Sequence, residues 1–353
     1  MNPGFWAGRK VLITGHTGFK GAWLCMLLHR LGAKVTGFST PPPTDPSLFH
    51  LVRLNEMVTT IDGDVRDLES LRSALKKSDA QIVLHMAAQP LVRESYRDPV
   101  GTYATNVTGT VNLLEAVRLA GAGDQVRSVV VVTTDKCYEN REWIWSYREN
   151  EPMGGHDPYS SSKGCAELVT AAYRASYFAK SQTAVATARA GNVIGGGDWA
   201  TDRLIPDMMK AFTAGKPVII RNPKSIRPWQ LVLEPLVGYL SLAQRLFEDG
   251  QGFAQAFNFG PRESDARPVE WIVNHLVKQW GSGASWQLAG GEHPHEAHHL
   301  KLDASKAHAQ LEWSPRTDLL TALNWIVDWY KALGQSEDMR DVSQRQVETF
   351  LNL

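Results

Sequence analysis

The feature that most constrains the fold is an alternation of two periods along the first half of the chain. The β-branched runs KVLITG (10–15), KVTGF (34–38), MVTTIDG (57–63), QIVLHMA (81–87) and VRSVVVVT (126–133) have the apolar character of strands buried on both faces. Segments of helical spacing lie between them. WLCMLLHRL (23–31) is stopped by Gly32, and DLESLRSALKK (67–77) opens on an aspartate suited to cap its first turn. Further helices are predicted at 106–121 and 158–180, and a sixth strand over AVATARAGNV (184–193). Strands separated by helices of this length pair in parallel through right-handed crossovers, so an α/β fold with a doubly wound parallel sheet is expected.

Past about Gly195 the pattern loosens. GGGD (195–198) and several prolines separate shorter elements: PVIIR (217–221), a helix over 234–249, the strand-like AFNFG (256–260) and two later helices, VEWIVNHLVKQWG and TALNWIVDWYKALG. This reads as a smaller, mixed α/β domain. Residues 1–190 are expected to form the first domain and 191–353 mainly the second, with a segment near 229–260 returning to the first. Lys+Arg and Asp+Glu are equal at 37 each, which argues against a nucleic-acid or membrane-surface partner. The cysteines, Cys25, Cys137 and Cys165, show no CxxC spacing, and reduced thiols are expected. The first strand, beginning at Lys10, leaves no room for a signal peptide, and no apolar run is long enough to span a membrane. A cytoplasmic protein is expected.

Gly15-His16-Thr17-Gly18-Phe19-Lys20-Gly21 follows the first strand and opens the first helix. Glycines at this spacing let the backbone turn tightly, approach a diphosphate closely and aim helix N-terminal amides at it. At the first strand–helix turn of a doubly wound sheet, this is the Rossmann-type arrangement for a dinucleotide. The acidic residue expected at the end of the second strand, to hold a ribose, is missing: Ser39 and Thr40 stand there, with Asp45 beyond three prolines. No arginine stands there to meet a 2′-phosphate, so NAD is expected over NADP, with modest affinity.

Tyr159 and Lys163 in YSSSK are four residues apart, on one helical face. A lysine beside a phenol favours the phenolate and lowers its pKa from about 10, which makes a usable base. An ordinary amphipathic helix also carries such a pair. Thr134, at the end of the fifth strand, and the glycine loop give the pair its context.

With these residues assembled, the chain resembles the extended short-chain dehydrogenase/reductase superfamily over nearly its whole length. The matching stretches are GHTGFKG, GDVRD (63–67), HMAAQP (85–90), the Asn106 region, TTDKCY, YSSSK and RAGNV. The resemblance implies cofactor contacts from Gly15, Thr17, Gly18, Phe19, Gly21, Asp64, Val65, Ala87, Ala88, Gln89 and Thr133. It also implies that Thr134 and Tyr159 hydrogen-bond the sugar hydroxyl to be oxidised and that Lys163 grips the nicotinamide ribose. Within the superfamily the chain looks most like the nucleotide-sugar 4,6-dehydratases, because Asp135 follows Thr134 and resembles their acid for water loss. Relatives acting on dTDP-glucose and GDP-mannose carry a glutamate next, as a carbon-5 base. Here Lys136 stands instead, as in the branch acting on CDP-D-glucose, which shares PPPTDPSLF, GGGDW and HPHEAHHLKLD (293–303). Lys136 is expected to act at carbon 5, by electrostatic stabilisation of an enolate if charged or as the base if neutral. Deoxysugar biosynthesis, as for lipopolysaccharide O-antigen, is the implied setting.

Asn192, Arg203 and Arg227 resemble residues that grip the sugar-nucleotide diphosphate, for which guanidinium forks and amide donors are suited. Asn258 in FNFGP joins them by alignment. His293, His295, His298 and His299 do not form a HExxH helix and have no cysteine beside them, so a polar loop is expected there and no metal site. Most of the twelve tryptophans suit a core, with Trp199 and Trp229 possible exceptions beside the arginines. The helices at 106–121 and 158–180 resemble those of a four-helix dimer interface, so a homodimer or dimer of dimers is expected. Competing readings are an epimerase or net oxidoreductase with the same Tyr–Lys pair, which would not need Asp135, and a catalytically silent NAD-sensing protein, for which the intact Thr, Tyr and Lys set is unsuited.

Overall fold

The computed structural model describes residues 2–120, 126–281, 283–290 and 300–353. Its centre is a seven-stranded sheet of β1 (Lys10–Thr14), β2 (Lys34–Ser39), β3 (Thr59–Asp62), β4 (Ile82–His85), β5 (Ser128–Val132), β6 (Ala184–Ala190) and a strand from much later in the chain, Ala256–Phe259. The order across the sheet is Ala256–Phe259, β6, β5, β4, β1, β2, β3, with every pairing parallel. The order reverses between β1 and β4. In open α/β sheets a ligand crevice opens at that point, beyond the carboxyl ends of the strands.

The strands alternate between two cores. Val11 and Ile13 of β1 and Val130 and Val132 of β5 face one cluster, with Trp23, Leu24 and Leu27 of the Phe19–Arg30 helix and Leu236 and Leu240 of the Leu233–Asp249 helix. Leu12, Val129 and Val131 face the other, with Leu71 and Leu75 of the Leu68–Ser78 helix and Leu113, Leu114 and Val117 of the Gly109–Ala120 helix. Successive strand residues point to opposite faces, so a run without polar residues is what a sheet covered on both sides requires. Asp67 caps its helix by accepting from Glu69 N and Ser70 N.

The expected strand 184–193 is divided. β6 ends at Ala190, and β7 (Asn192–Ile194) leaves the large sheet to pair in parallel with a strand over Ile226–Leu231. A Cβ at Gly191 would lie 2.5 Å from Pro228 Cγ, so the two chains cross too closely for a side chain at the break. A three-stranded sheet and a two-stranded pair, with the Leu204–Thr213, Val269–Trp280 and Leu319–Gly334 helices, build the region past this point. The predicted helices at 106–121 and 158–180 are also interrupted, by π-helical turns at Ala104–Thr108 and Arg174–Phe178. No helix among the described residues is long and apolar enough to cross a membrane.

Candidate active site

A cavity of about 1440 Å³ opens at the carboxyl ends of β1 to β6 and is lined on its other side by loops of the later region. At its centre the glycine loop meets the segment after β4. Gly15 has φ +77°, and a Cβ there would lie 2.7 Å from Ala87 N. A Cβ at Gly21 would lie 2.2 Å from Gly15 O, so helix and turn can pack this closely only with glycine. Gly18 is the N-cap of the Phe19–Arg30 helix and offers no side-chain acceptor, which leaves first-turn amides for an anion. The backbone cradle therefore fits a dinucleotide diphosphate.

At one end of the cavity Thr17 Oγ1 meets Ser39 Oγ at 2.8 Å and donates to Thr40 O at 3.0 Å. Asp64 and Val65 line the same end. Asp64 accepts from Arg66 N and Nε, each at 2.9 Å, and these bonds hold its carboxyl below the usual range. Arg66 is thereby engaged by a carboxylate of its own chain.

The segment after β4 is fixed from below. Thr14 Oγ1 bonds His85 Nδ1 at 2.7 Å and accepts from Met86 N and Ala87 N. Asn106, in its π-turn, accepts from Gln89 N at 2.8 Å and donates to Gln89 O at 3.1 Å and Ser162 Oγ at 2.8 Å. It joins the Ala88–Gln89 segment to the helix that carries Tyr159 and Lys163. Phe19, Ala87, Ala88, Gln89 and Thr133 all line the cavity. The Thr133 hydroxyl is itself spent on Glu167.

Thr134, Asp135, Lys136, Tyr159 and Lys163 converge on the other end. Thr134 Oγ1 donates to Asp135 Oδ1 at 2.9 Å, beside the Tyr159 phenol. Asp135 is 1% exposed, and its second oxygen, Oδ2, is buried with no hydrogen-bond partner. Burial pushes its carboxyl up, against the opposing pull of Lys136, Thr134 and Arg227, which favours the neutral acid. Lys136 Nζ lies 5.9 Å from the Tyr159 ring centroid.

The expectation that Lys163 depresses the Tyr159 phenol is not met. Burial dominates and pushes Tyr159 up to about 12, while Thr134 and Arg203 act in the other direction. Lys163 donates to Val132 O at 3.3 Å and is itself held down to about 8 by burial. Helical spacing places the two side chains on one face but says nothing of the solvent both have lost.

Asn192, Arg203 and Arg227 line the cavity, Arg203 paired with Asp198 at 2.9 Å and Arg227 donating to Ile226 O at 3.0 Å. Asn258 is not brought to it. It is fully buried, donates to Tyr147 O and Asp303 O, and accepts from Tyr138 Oη at 2.7 Å. Every side-chain polar atom of Asn258 is thus taken by the chain, and it ties the end of Ala256–Phe259 to neighbouring loops. Trp199 and Trp229 also line the cavity; Trp199 packs edge-on against Trp329 and Tyr330. His293, His295, His298 and His299 lie outside the described residues, and among those described no cluster could hold a metal ion.

Sequence reasoning missed Glu167 and Lys20. Glu167 stands one helical turn beyond Lys163 and forms a buried ion pair with Arg189 at 2.8 Å while accepting from Thr133 and Thr187. Lys20 lines the cavity and bonds Tyr239. A charged residue inside the tightly packed glycine loop was the available signal.

A glycine cradle at the reversal point of a parallel sheet, with Thr, Tyr and Lys at the ends of β5 and the following helix, defines a Rossmann-fold protein of the extended short-chain dehydrogenase/reductase class. More particularly, the chain belongs to the family described as GDP-mannose 4,6 dehydratase, whose profile matches residues 12–324. A CDP-glucose 4,6-dehydratase of Salmonella typhimurium is 54% identical over 357 aligned residues, covering 100% of this chain and 99% of that protein. A dTDP-glucose 4,6-dehydratase of Xanthomonas campestris is 24% identical and covers 90% of this chain and 92% of its own. Among solved structures, dTDP-glucose 4,6-dehydratase from Bacillus anthracis in complex with NAD has a TM-score of 0.75 at 22% identity, covering 94% of this chain and 100% of its own. UDP-glucose-4-epimerase from Stenotrophomonas maltophila has a TM-score of 0.81 at 20% identity, covering 93% of this chain and 99% of its own. The shared fold follows from these last two.

Proposed function

We propose that the protein is an NAD-dependent 4,6-dehydratase that converts CDP-D-glucose to CDP-4-keto-6-deoxy-D-glucose and water. The observation that carries the reaction type is Asp135, a buried carboxyl favoured as the neutral acid, beside Thr134 and Tyr159. An epimerase does not expel water and has no work for such an acid. The choice of CDP-D-glucose rests on the full-length likeness to the Salmonella typhimurium enzyme.

NAD held in this cavity would supply the hydride acceptor for carbon 4 and the hydride donor for carbon 6. Gly15, Gly18 and Gly21 would hold its diphosphate, Thr17 and Asp64 its adenosine end, and Lys163 its nicotinamide ribose. Tyr159, in the phenolate form that Thr134 and Arg203 favour, takes the proton of the carbon-4 hydroxyl and becomes the phenol. The ketone at carbon 4 acidifies the proton on carbon 5, which leaves with the help of Lys136, and a proton returns to carbon 5 when carbon 6 is reduced. Asp135 donates its proton to the carbon-6 oxygen, which departs as water, and the proton taken by Tyr159 replenishes the acid through the Thr134 contact. Asn192, Arg203 and Arg227 face the sugar-nucleotide diphosphate. The setting is the cytoplasm, in deoxysugar supply such as that of O-antigen, and the assembly is a homodimer or a dimer of dimers.

The test is incubation with CDP-D-glucose and NAD. Appearance of the 4-keto-6-deoxy sugar without net NADH is expected. Net reduction of NAD, or recovery of only an epimer, would overturn the reading. Turnover of dTDP-, UDP- or GDP-sugars at a comparable rate would remove the assignment of the base.

A further inference from the structure

Lys20 is used by none of these steps. It stands between Gly18 and Gly21 in the first turn of the Phe19–Arg30 helix, so its backbone is fixed where the cradle holds a dinucleotide. Its side chain lines the cavity. Its ammonium donates to Tyr239 Oη at 3.1 Å and lies 5.1 Å from that ring's centroid. Tyr239 is fully buried on the Leu233–Asp249 helix, edge-on to Phe259 with ring centroids 5.4 Å apart, so the lysine's partner is held rigidly. The titratable groups that bear on Lys20 are Lys163 on the Pro158–Tyr173 helix, Arg203 beside Asp198, and Asp135 at the end of β5. Asp135 and Tyr159 bear on Tyr239 in turn. These neighbours put the ammonium at the catalytic end of the cavity. Burial holds it down to about 7, so it gains or loses a proton readily near neutrality.

We propose that Lys20 is a further cofactor-facing residue at the nicotinamide end of the cavity, one that favours the reduced, uncharged ring over the oxidised, cationic one, with Tyr239 holding it in position. This rests on the NAD reading above. Like charges repel in a poorly screened cavity, and the repulsion ends once a hydride has neutralised the ring. A dehydratase must keep its reduced cofactor in place until the hydride returns to carbon 6, and a cation at this position assists that retention. A lysine gripping the diphosphate would behave differently, because both redox forms carry the same diphosphate and would gain equally.

The experiment is calorimetric titration of the full-length wild type, Lys20→Met, Lys20→Arg and Tyr239→Phe with NAD and with NADH, at several pH values around neutrality. The ratio of NADH to NAD affinity is expected to fall about tenfold in Lys20→Met. In Lys20→Arg the ratio should be kept. In the wild type it should decline as pH rises through about 7, and Lys20→Arg should lose this part of the decline. Lys163 also titrates nearby in every variant, so the difference between wild type and variant isolates Lys20. An equal weakening of both forms in Lys20→Met, or no change in either, would overturn the proposal. Should Lys20→Met not fold, an unaltered pH profile in Lys20→Arg would overturn it as well. A wild type that binds both forms keeps the NAD reading standing whatever the variants do; one that binds neither removes both.

Discussion

Asp135 combines two properties that an exposed carboxylate cannot have together. Its burial favours the protonated form, and its Oδ2 is left without a partner in the chain. An unsatisfied buried oxygen is costly unless a ligand hydroxyl meets it, so the side chain is arranged for a visitor. Asp135→Asn keeps the shape and removes the proton. Its kcat should fall roughly 10²–10⁴-fold, the usual worth of a positioned acid. Oxidation at carbon 4 should survive, so the absorbance of reduced nicotinamide should rise on mixing and persist; wild-type turnover would refute the role. Lys136 occupies a different position, above the Tyr159 ring and within the cavity. For Lys136→Met, exchange of solvent deuterium into carbon 5 should slow at least tenfold while oxidation continues. Exchange at the wild-type rate would exclude Lys136 from that proton.

Between residue and fold stand the short elements that hold the site in register. The π-turn Ala104–Thr108 turns Asn106 inward, where it bonds Gln89 twice and Ser162 once. Asn106→Ala would leave these buried groups unpaired, at a cost of about 2–4 kcal/mol. A fall in Tm with a larger fractional loss of kcat is expected, measured by calorimetry and by turnover; an unchanged Tm would show that the turn holds without it. Asn106 also illustrates what a sequence discloses. β1 to β5 were legible because strands covered on both faces must be apolar throughout, and Asp67 because a cap is a local matter. The glycine loop was legible because close backbone approach leaves one residue type. The π-turns were not, since one extra residue in a helical turn leaves no mark on apolar spacing. Nor was the break at Gly191, which is set by Pro228 in another strand. Lys20 and Tyr239 meet across 219 positions. The state of Tyr159 depends on burial, which four-residue spacing does not report.

For the molecule as a whole, two properties follow from what is exposed and what is buried. Tyr96, Val100, Tyr103, Leu168 and Tyr177 are exposed on the Val92–Arg97, Pro99–Tyr103 and Pro158–Tyr173 helices and the adjoining π-turn. Exposed apolar side chains on these elements suit contact with a second copy. Sedimentation should give a dimer or larger for the wild type and a lighter species for Leu168→Glu; a wild-type monomer would dismiss the assembly. The second property is the response of stability to acid. His16 and His85 are buried, and burial lowers them from 6.5 to about 4 and about 3. Because the unfolded chain protonates both below about 6.5 and the native protein does not, their stabilisation is complete above that pH and is lost as pH falls. At pH 5 each costs about 2 kcal/mol. Half-buried acids such as Asp207, raised to about 6, act in the opposite sense, so the net profile mixes the two. A variant separates them. His85→Gln can keep a bond to Thr14 and carries no titrating group. Its Tm deficit against the wild type at pH 7 should therefore narrow at pH 5, by the equivalent of about 2 kcal/mol. A deficit that stays constant between the two pH values would mean that His85 is protonated in the folded protein.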